Sequence, residues 1–313
     1  MGRPRPRPTR QEGQAKLEAF SAPGRFRRGN LHGHSTASDG ALSPEEVCAE
    51  YRAAGYDFTC VTDHFRARYG YPLTDTTASR DDGFTTLLGA ELHAPQTSRG
   101  VEWHILAVGL PADFAPPAEG EDGPALARRA GAAGAFVAIA HPHWYQLQPE
   151  DGAALDAAHA VEVYNHTSFV HTDRGDGAVF LDAMLSAGRR LGAIAVDDSH
   201  WKRDDAFGGW VMVKAETLEP GALLAALKAG RYYASQGPEI HDIARDGDAL
   251  AIACSPAAAV MLVGPVSTNA RHIGRNVTRA RLPLEPFRGG WCRAVVVDAM
   301  GRRAWSNPLW LDR

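Results

Sequence analysis

Short apolar runs, each closing on polar side chains, recur along residues 26–230. In chain order they are RGNLHGH, DFTCVTDH, TTLLGAE, VEWHILAVGL, FVAIAHPH, AVEVYNH and LGAIAVDDSH, and together they predict seven strands. Between several of them the spacing becomes helical. SPEEVCAEYRAAG places Ser43 at an N-cap, Pro44 in the first turn and Glu46 where a capping box needs it. PALARRAGAAG and GAVFLDAMLSAG each stop at glycine. Strands alternating with helices predict parallel strands under a helical cover, as an open doubly wound sheet or a closed barrel. An open sheet gathers its site at one switch point, whereas a barrel brings every strand end to one face. Polar residues end nearly every run, so the pattern favours a barrel of seven βα units over residues 26–236.

After GWVMVKAE and PGALLAALKAG the texture changes at RYYASQGPEI. From there ALAIACS, AVMLVG, RARLPL, CRAVVVDA and PLWL are short alternating runs broken by Gly, Pro, Asn and Asp. Residues 237–313 are therefore expected to form a small β-sandwich-like domain. Residues 1–25 alternate Arg with Pro and continue polar, the composition of a disordered or loosely docked arm.

Composition narrows the class. The 313 residues suffice for a large core and a smaller one, and 44% hydrophobic with 22% charged residues excludes whole-chain disorder. No run approaches the roughly 18 apolar residues of a membrane span, and the basic start has no apolar segment behind it, so a cytoplasmic protein without membrane contact is expected. The net charge of −4 argues against long nucleic acid as a partner. Cys48, Cys60, Cys254 and Cys292 are widely spaced, which fits neither a disulfide framework nor a thiolate zinc site. Histidine stands out: of 13, 11 precede residue 201.

Their placement points to metal chemistry. In NLHGHSTASDG, His32 and His34 are two apart and share a strand face, so both imidazoles can aim at one point. Asp39 follows in a short turn, and His64 ends the next strand after Asp63. Histidine with carboxylate and no cysteine is the ligand mix of Zn, Mn or Fe(II) in hydrolytic sites. Glu91 emerges from an apolar strand, where an unpaired charge costs several kcal/mol unless cations compensate it. Asp198 and His200 form another pair two apart, while Asp197 faces away, beside the ligands or toward solvent. His141, held by the following proline, is favoured over His143. His104 is a ligand or a core histidine bonded to backbone, and His166 a ligand, a proton donor or a polar cap. His93, His159, His171, His241 and His272 lack a partner at ligand spacing and read as incidental.

The ordered set HGHSTASDG, CVTDHF, GAE, WHILAVGL, AHP, EVYN and DDSH resembles the PHP (polymerase and histidinol phosphatase) metallohydrolases, nearest to their stand-alone phosphoesterase and CehA/McbA-like branch. The resemblance spans about residues 27–236 and implies a distorted (βα)7 barrel with two or three divalent ions. It implies nine ligands: His32, His34, Asp39, His64, Glu91, His104, His141, Asp198 and His200, with His166 as the alternative to His104. Where many relatives read GSDAH this chain reads VDDSH, which puts Asp197 where a small residue is common. The segments YYASQGPEI and AWSNPLWL are similar to the small β extension of that branch.

The expected reaction is hydrolysis of a small-molecule phosphoester by a hydroxide bridging two ions about 3.5–4 Å apart. His143, His166 and His200 are the candidates to protonate the leaving oxygen, and Arg68 and Lys202 to hold the phosphate. The alternatives are attack on a carbamate, ester or amide carbonyl at the same centre, exonuclease action on short oligonucleotides, and a metal-binding domain without catalysis. No phosphate-cradling glycine loop or serine elbow competes with the metal reading.

Overall fold

All seven runs form strands in the computed structural model, which describes residues 17–311. They are β1 (Arg25–Asn30), β2 (Phe58–Val61), β4 (Thr85–Ala94), β5 (Trp103–Val108), β6 (Phe136–Ile139), β7 (Ala160–Asn165) and β8 (Gly192–Val196), with a two-residue β3 (His64–Phe65) beside β4. The expected helices appear as α2 (Pro44–Ala53), α3 (Gly123–Ala132), α6 (Ala178–Ser186) and α7 (Pro220–Lys228); α1 (Glu18–Ser21), α4 (Pro149–Ala154) and α5 (His166–Thr172) are additional. The capping box of α2 forms as read: Glu46 N–H donates to Ser43 Oγ and Ser43 N–H to the Glu46 carboxylate.

Two features differ from an all-parallel closed barrel. The β1–β2–β4 and β6–β7–β8 ladders are parallel, but β5 runs antiparallel to both neighbours. Only residues 95–102 join β4 to β5, too few for the crossover that a parallel pair needs. The second departure is closure. β9 (Trp210–Ala215) returns antiparallel along β1, from Arg25 opposite Ala215 to Gly29 opposite Val211. With β2 on its other side, β1 has no edge left for β8, and the sheet stays open as a ladder. Beyond the strands the ends still meet, since Asp198 N–H donates to the His32 carbonyl and His34 N–H to the Ser199 carbonyl, each at 2.8 Å. The fold is thus a mixed α/β structure around one large open sheet.

From β9 the sheet continues through β10 (Tyr232–Ser235), β15 (Arg303–Ser306), β14 (Trp291–Val297), β12 (Ala249–Val263) and β11 (Ile240–Asp246). β13 (Asn269–Pro283) pairs with β12, and β16 (Leu309–Trp310) with β14. ALAIACS and AVMLVG merge into the single strand β12, whose register against β13 shifts between Ala253 and Ala259. All four cysteines are free and buried. Of the expected arm, residues 1–16 lie outside the described residues, while Ala19 and Phe20 of α1 are buried against Tyr233, Ile240 and Ile243.

Alternation along the strands sorts the core into two layers. Leu31, Phe58, Leu106, Phe136 and Ile194 fill one face of the sheet, and Ile105, Val137, Val161 and Ala193 pack on the other against Leu126, Leu181 and Leu185 of the helices. One ion pair ties β14 to α6: buried Arg293 donates through Nε and Nη2 to the two Asp182 oxygens, both at 2.8 Å. Asp182→Ala leaves that guanidinium uncompensated, and we expect a loss of about 3 kcal/mol in urea unfolding. A loss below about 0.5 kcal/mol is the value of a solvent-screened pair and contradicts this assignment.

Candidate metal centre

The strand ends deliver three pairs of side chains two residues apart onto one spot: His32 and His34 after β1, Glu91 and His93 within β4, and Asp198 and His200 after β8. β5 adds His104, opposite His93 in the ladder, and His141 follows β6. Asp198 has φ +59° and His141 φ +22°, left-handed conformations that turn their side chains into the cluster. Gly40 allows the turn after Asp39 to lie against β1's end, since a β-carbon there would sit 2.5 Å from the His34 carbonyl oxygen.

Glu91 is the hub. Its Oε1 lies 2.7 Å from His104 Nδ1, 3.0 Å from His141 Nε2 and 3.8 Å from His32 Nε2. Its Oε2 lies 2.5 Å from His64 Nδ1, 3.4 Å from His93 Nε2 and 3.8 Å from His34 Nε2. Asp198 Oδ1 is 2.8 Å from His34 Nε2 and 3.3 Å from His32 Nε2. A third carboxylate, Asp39, places Oδ1 3.4 Å from His64 Nε2 and 3.5 Å from His200 Nε2. Several overlapping sets of these residues hold their ligand atoms within 4.8 Å of one another, among them His34, Asp39, His64 and His200, and His32, His141 and Asp198.

A surrounding shell fixes the ligand atoms. Glu162 Oε1 is 2.7 Å from His32 Nδ1, while Oε2 accepts His141 N–H at 2.7 Å and Asn165 Nδ2 at 2.9 Å. His200 Nδ1 donates to the Asp198 carbonyl at 2.8 Å, which leaves Nε2 facing Asp39. Asp197 faces away from the cluster, as alternation predicts, but it is fully buried and not solvent-facing. Its Oδ1 accepts Gly208 and Gly209 N–H, both at 2.8 Å, and its Oδ2 accepts Phe207 N–H and Tyr51 O–H, both at 2.9 Å.

Electrostatics separate the two adjacent aspartates. Burial pushes Asp197 up to about 6 against the pull of its backbone donors. Burial also acts on Asp198, but His32, His34 and His200 outweigh it and hold that carboxyl well below its usual range. Glu91 is likewise held low, because His64, His104 and His93 overcome its burial. Burial brings His93 down to about 4.

All nine expected ligands converge. Above them lies a cavity of about 400 Å³ whose lining includes Arg68 and Lys202, the latter with Nζ 4.0 Å from Asp39. The three expected proton donors divide. His200 lines the cavity, whereas His143 is exposed outside the lining and His166 is taken up by Tyr164 O–H at 2.8 Å, with its ring against Gly208. His143 lies in the turn after β6, and His166 begins α5 directly after β7. Two histidines read as incidental belong to the site: His171 lines the cavity and His93 is packed beside His64 and Glu91. Glu162 carried the same signal as Glu91, a carboxylate inside an apolar run, and Asn165 ends that run.

No protein-family model matches this chain, and no curated protein matches it. Among solved structures, it is similar to a two-domain protein from Bacteroides vulgatus that contains a predicted PHP-like metal-dependent phosphoesterase. The TM-score is 0.53 at 18% identity, with 91% of this chain and 95% of that one covered. A protein from Bifidobacterium adolescentis assigned as a metal-dependent phosphoesterase gives a TM-score of 0.44 at 17% identity, over 60% of this chain and 91% of that one. An amidohydrolase from Chromobacterium violaceum gives 0.41 at 18%, over 56% and 89%. At such identities the first likeness speaks to architecture alone: the chain shares the fold of that protein with a PHP-like domain over 91% of its length.

Proposed function

We propose that this protein is a divalent-metal-dependent hydrolase acting on a small phosphoester, with its chemistry inside residues 26–236. The observation that carries the reading is a buried cluster of imidazoles and carboxylates under a cavity that also presents Arg66, Arg68 and Lys202. The residues fit metal ions. His32 Nε2, Asp39 Oδ1 and Glu91 Oε2 are buried without a hydrogen-bond partner, and so many ligand atoms this close repel one another unless cations sit between them. His32, His34, Asp39, His64, Glu91, His104, His141, Asp198 and His200 would hold two or three ions, and their N/O composition suits Zn, Mn or Fe. Such ions, when bound, supply Lewis acidity to a water molecule and to the phosphate oxygens.

The chain's own groups do the remaining work. Glu162 and the Asp198 carbonyl hold His32 and His200 in one tautomer each, so that Nε2 of both faces the cluster. Arg68 and Lys202 bind phosphate oxygens at the cavity wall. Lys202 stands over Asp39, and His171 is the cavity-lining imidazole outside the ligand set from which the leaving oxygen can take a proton, because the one ring proton of His200 is held by the Asp198 carbonyl.

Elemental analysis together with turnover of p-nitrophenyl phosphate, its bis-ester and p-nitrophenyl acetate tests the reading. Two or more ions per chain, a preference for the monoester, and loss of both ions and turnover in His32→Ala are expected. A chain with fewer than two ions, or an undiminished His32→Ala, overturns the metal mechanism. Preference for the acetate instead assigns a carbonyl substrate, and preference for the bis-ester a nuclease-like one.

A further inference from the structure

Resting on that reading, we propose that His93 is a positioning residue that locks His64 with Nε2 facing the Asp39 and His200 side of the centre. Three observations converge. His93 is buried, its Nε2 is 2.9 Å from His64 Nδ1, and its Nδ1 is 3.1 Å from the Trp103 carbonyl oxygen. That carbonyl can only accept, so Nδ1 carries the ring proton and Nε2 presents a lone pair inward. Nδ1 also has Arg66 Nη2, which can only donate, at 3.1 Å and Glu102 Oε2, which can only accept, at 3.8 Å; the Glu102 carboxylate is the stronger partner for the Arg66 guanidinium, 2.5 Å away, and we assign the ring proton to Nδ1 on the Trp103 contact.

His64 supplies the other half. An ion held through its Nε2, together with Asp39, His34 and His200, leaves Nδ1 as the protonated nitrogen, and that N–H needs an acceptor. Two atoms are near it, Glu91 Oε2 at 2.5 Å and His93 Nε2 at 2.9 Å. Direction decides between them. The contact with His93 has hydrogen-bond geometry, whereas Glu91 Oε2 remains without a hydrogen-bond partner despite its proximity and so stays free for ions. Protons are then placed along the whole chain: His64 Nδ1–H donates to His93 Nε2, and His93 Nδ1–H to the Trp103 carbonyl. The strand pattern makes this possible, because His93 follows Glu91 by two residues on the same face of β4.

The test compares His93→Leu, which removes the acceptor, with His93→Gln, whose side-chain oxygen can accept the same N–H. Zn²⁺ and Mn²⁺ titrations of chelator-treated protein, followed by calorimetry and elemental analysis, read each site without relying on turnover. In His93→Leu the affinity of one ion is expected to fall by about 10–100-fold while the others keep theirs, with His93→Gln restoring most of it. Cobalt spectra should show the same single-site change. Equal affinities in wild type and His93→Leu overturn the proposal. An equal loss in both variants also overturns it, because His93 would then be a ligand itself. A wild type that takes up no divalent ion instead removes the underlying metal reading, an outcome distinct from either.

Discussion

Glu91→Gln is expected to strip the protein of most of its divalent metal and to lower kcat/KM by about a thousandfold or more. The amide keeps the size and one oxygen of the carboxylate, so the variant isolates charge and ligation from packing. Glu91 belongs to three of the overlapping ligand groups: with His32 and His34, with His104 and His141, and with His64 and His93. One substitution therefore weakens three groups at once, whereas His200 shares its group with His34, Asp39 and His64. Several kcal/mol of charge stabilisation is the usual contribution of bound ions to phosphoryl transfer, and about 4 kcal/mol corresponds to a factor of about a thousand. Folding is controlled separately. Urea unfolding of Glu91→Gln should be compared with chelator-treated wild type, because bound ions alone stabilise the native state by mass action. A near-normal ion count with less than a tenfold loss of turnover would show that Glu91 serves packing and that the centre lies elsewhere.

Much of this centre was legible in the sequence because strand periodicity is a strong constraint. Residues two apart at a strand end share a face, so His32 with His34 and Asp198 with His200 could be paired from spacing alone. The same rule applied to Glu91 and His93, but His93 read as incidental because its partner His64 comes from another element. Glu162 shows the limit more plainly: its contacts to His32 and the His141 amide span 130 and 21 residues, and no local pattern encodes them. For His166 the strand-end rule misled, since α5 begins at that residue and Asn165 caps it. The open sheet was hidden for a related reason. Seven strands in succession suggest a ring, but whether the last meets the first depends on which strand takes the free edge of β1, and β9 takes it from far along the chain.

Asp197→Ala is expected to cost about 4 kcal/mol and to lower the melting temperature by on the order of 10 °C, the largest stability effect of any single substitution near the site. Three backbone amides, Phe207, Gly208 and Gly209, lose their acceptor at once, while the Tyr51 hydroxyl, which also donates to Asp197, has Ser199 Oγ at 3.0 Å as a second partner. Each orphaned buried donor costs about 1–3 kcal/mol, and water entering the space offsets part of the sum. The carboxylate joins separate pieces of the chain: Tyr51 comes from α2 and the amides from the segment before β9, while the Asp197 amide itself donates to Asn30 of β1 at 3.0 Å. It also holds Phe207 at φ +64°, a backbone conformation that a bulky residue adopts only when its surroundings impose it. Asp197→Asn should fall between, at about 1–2 kcal/mol, because one amide oxygen still accepts from Gly208 and Gly209 while its –NH₂ opposes the Phe207 N–H. Unfolding should be followed in chelator, so that altered metal affinity does not enter the difference. An Ala variant within about 1 kcal/mol of wild type would mean that water replaces the carboxylate as acceptor. If the cost is as large as the orphaned amides imply, Asp197 stabilises the loop carrying His200 and Lys202, and its side-chain hydrogen bonds at the end of β8 reinforce the backbone contacts by which the strand ends meet where the ladder stays open.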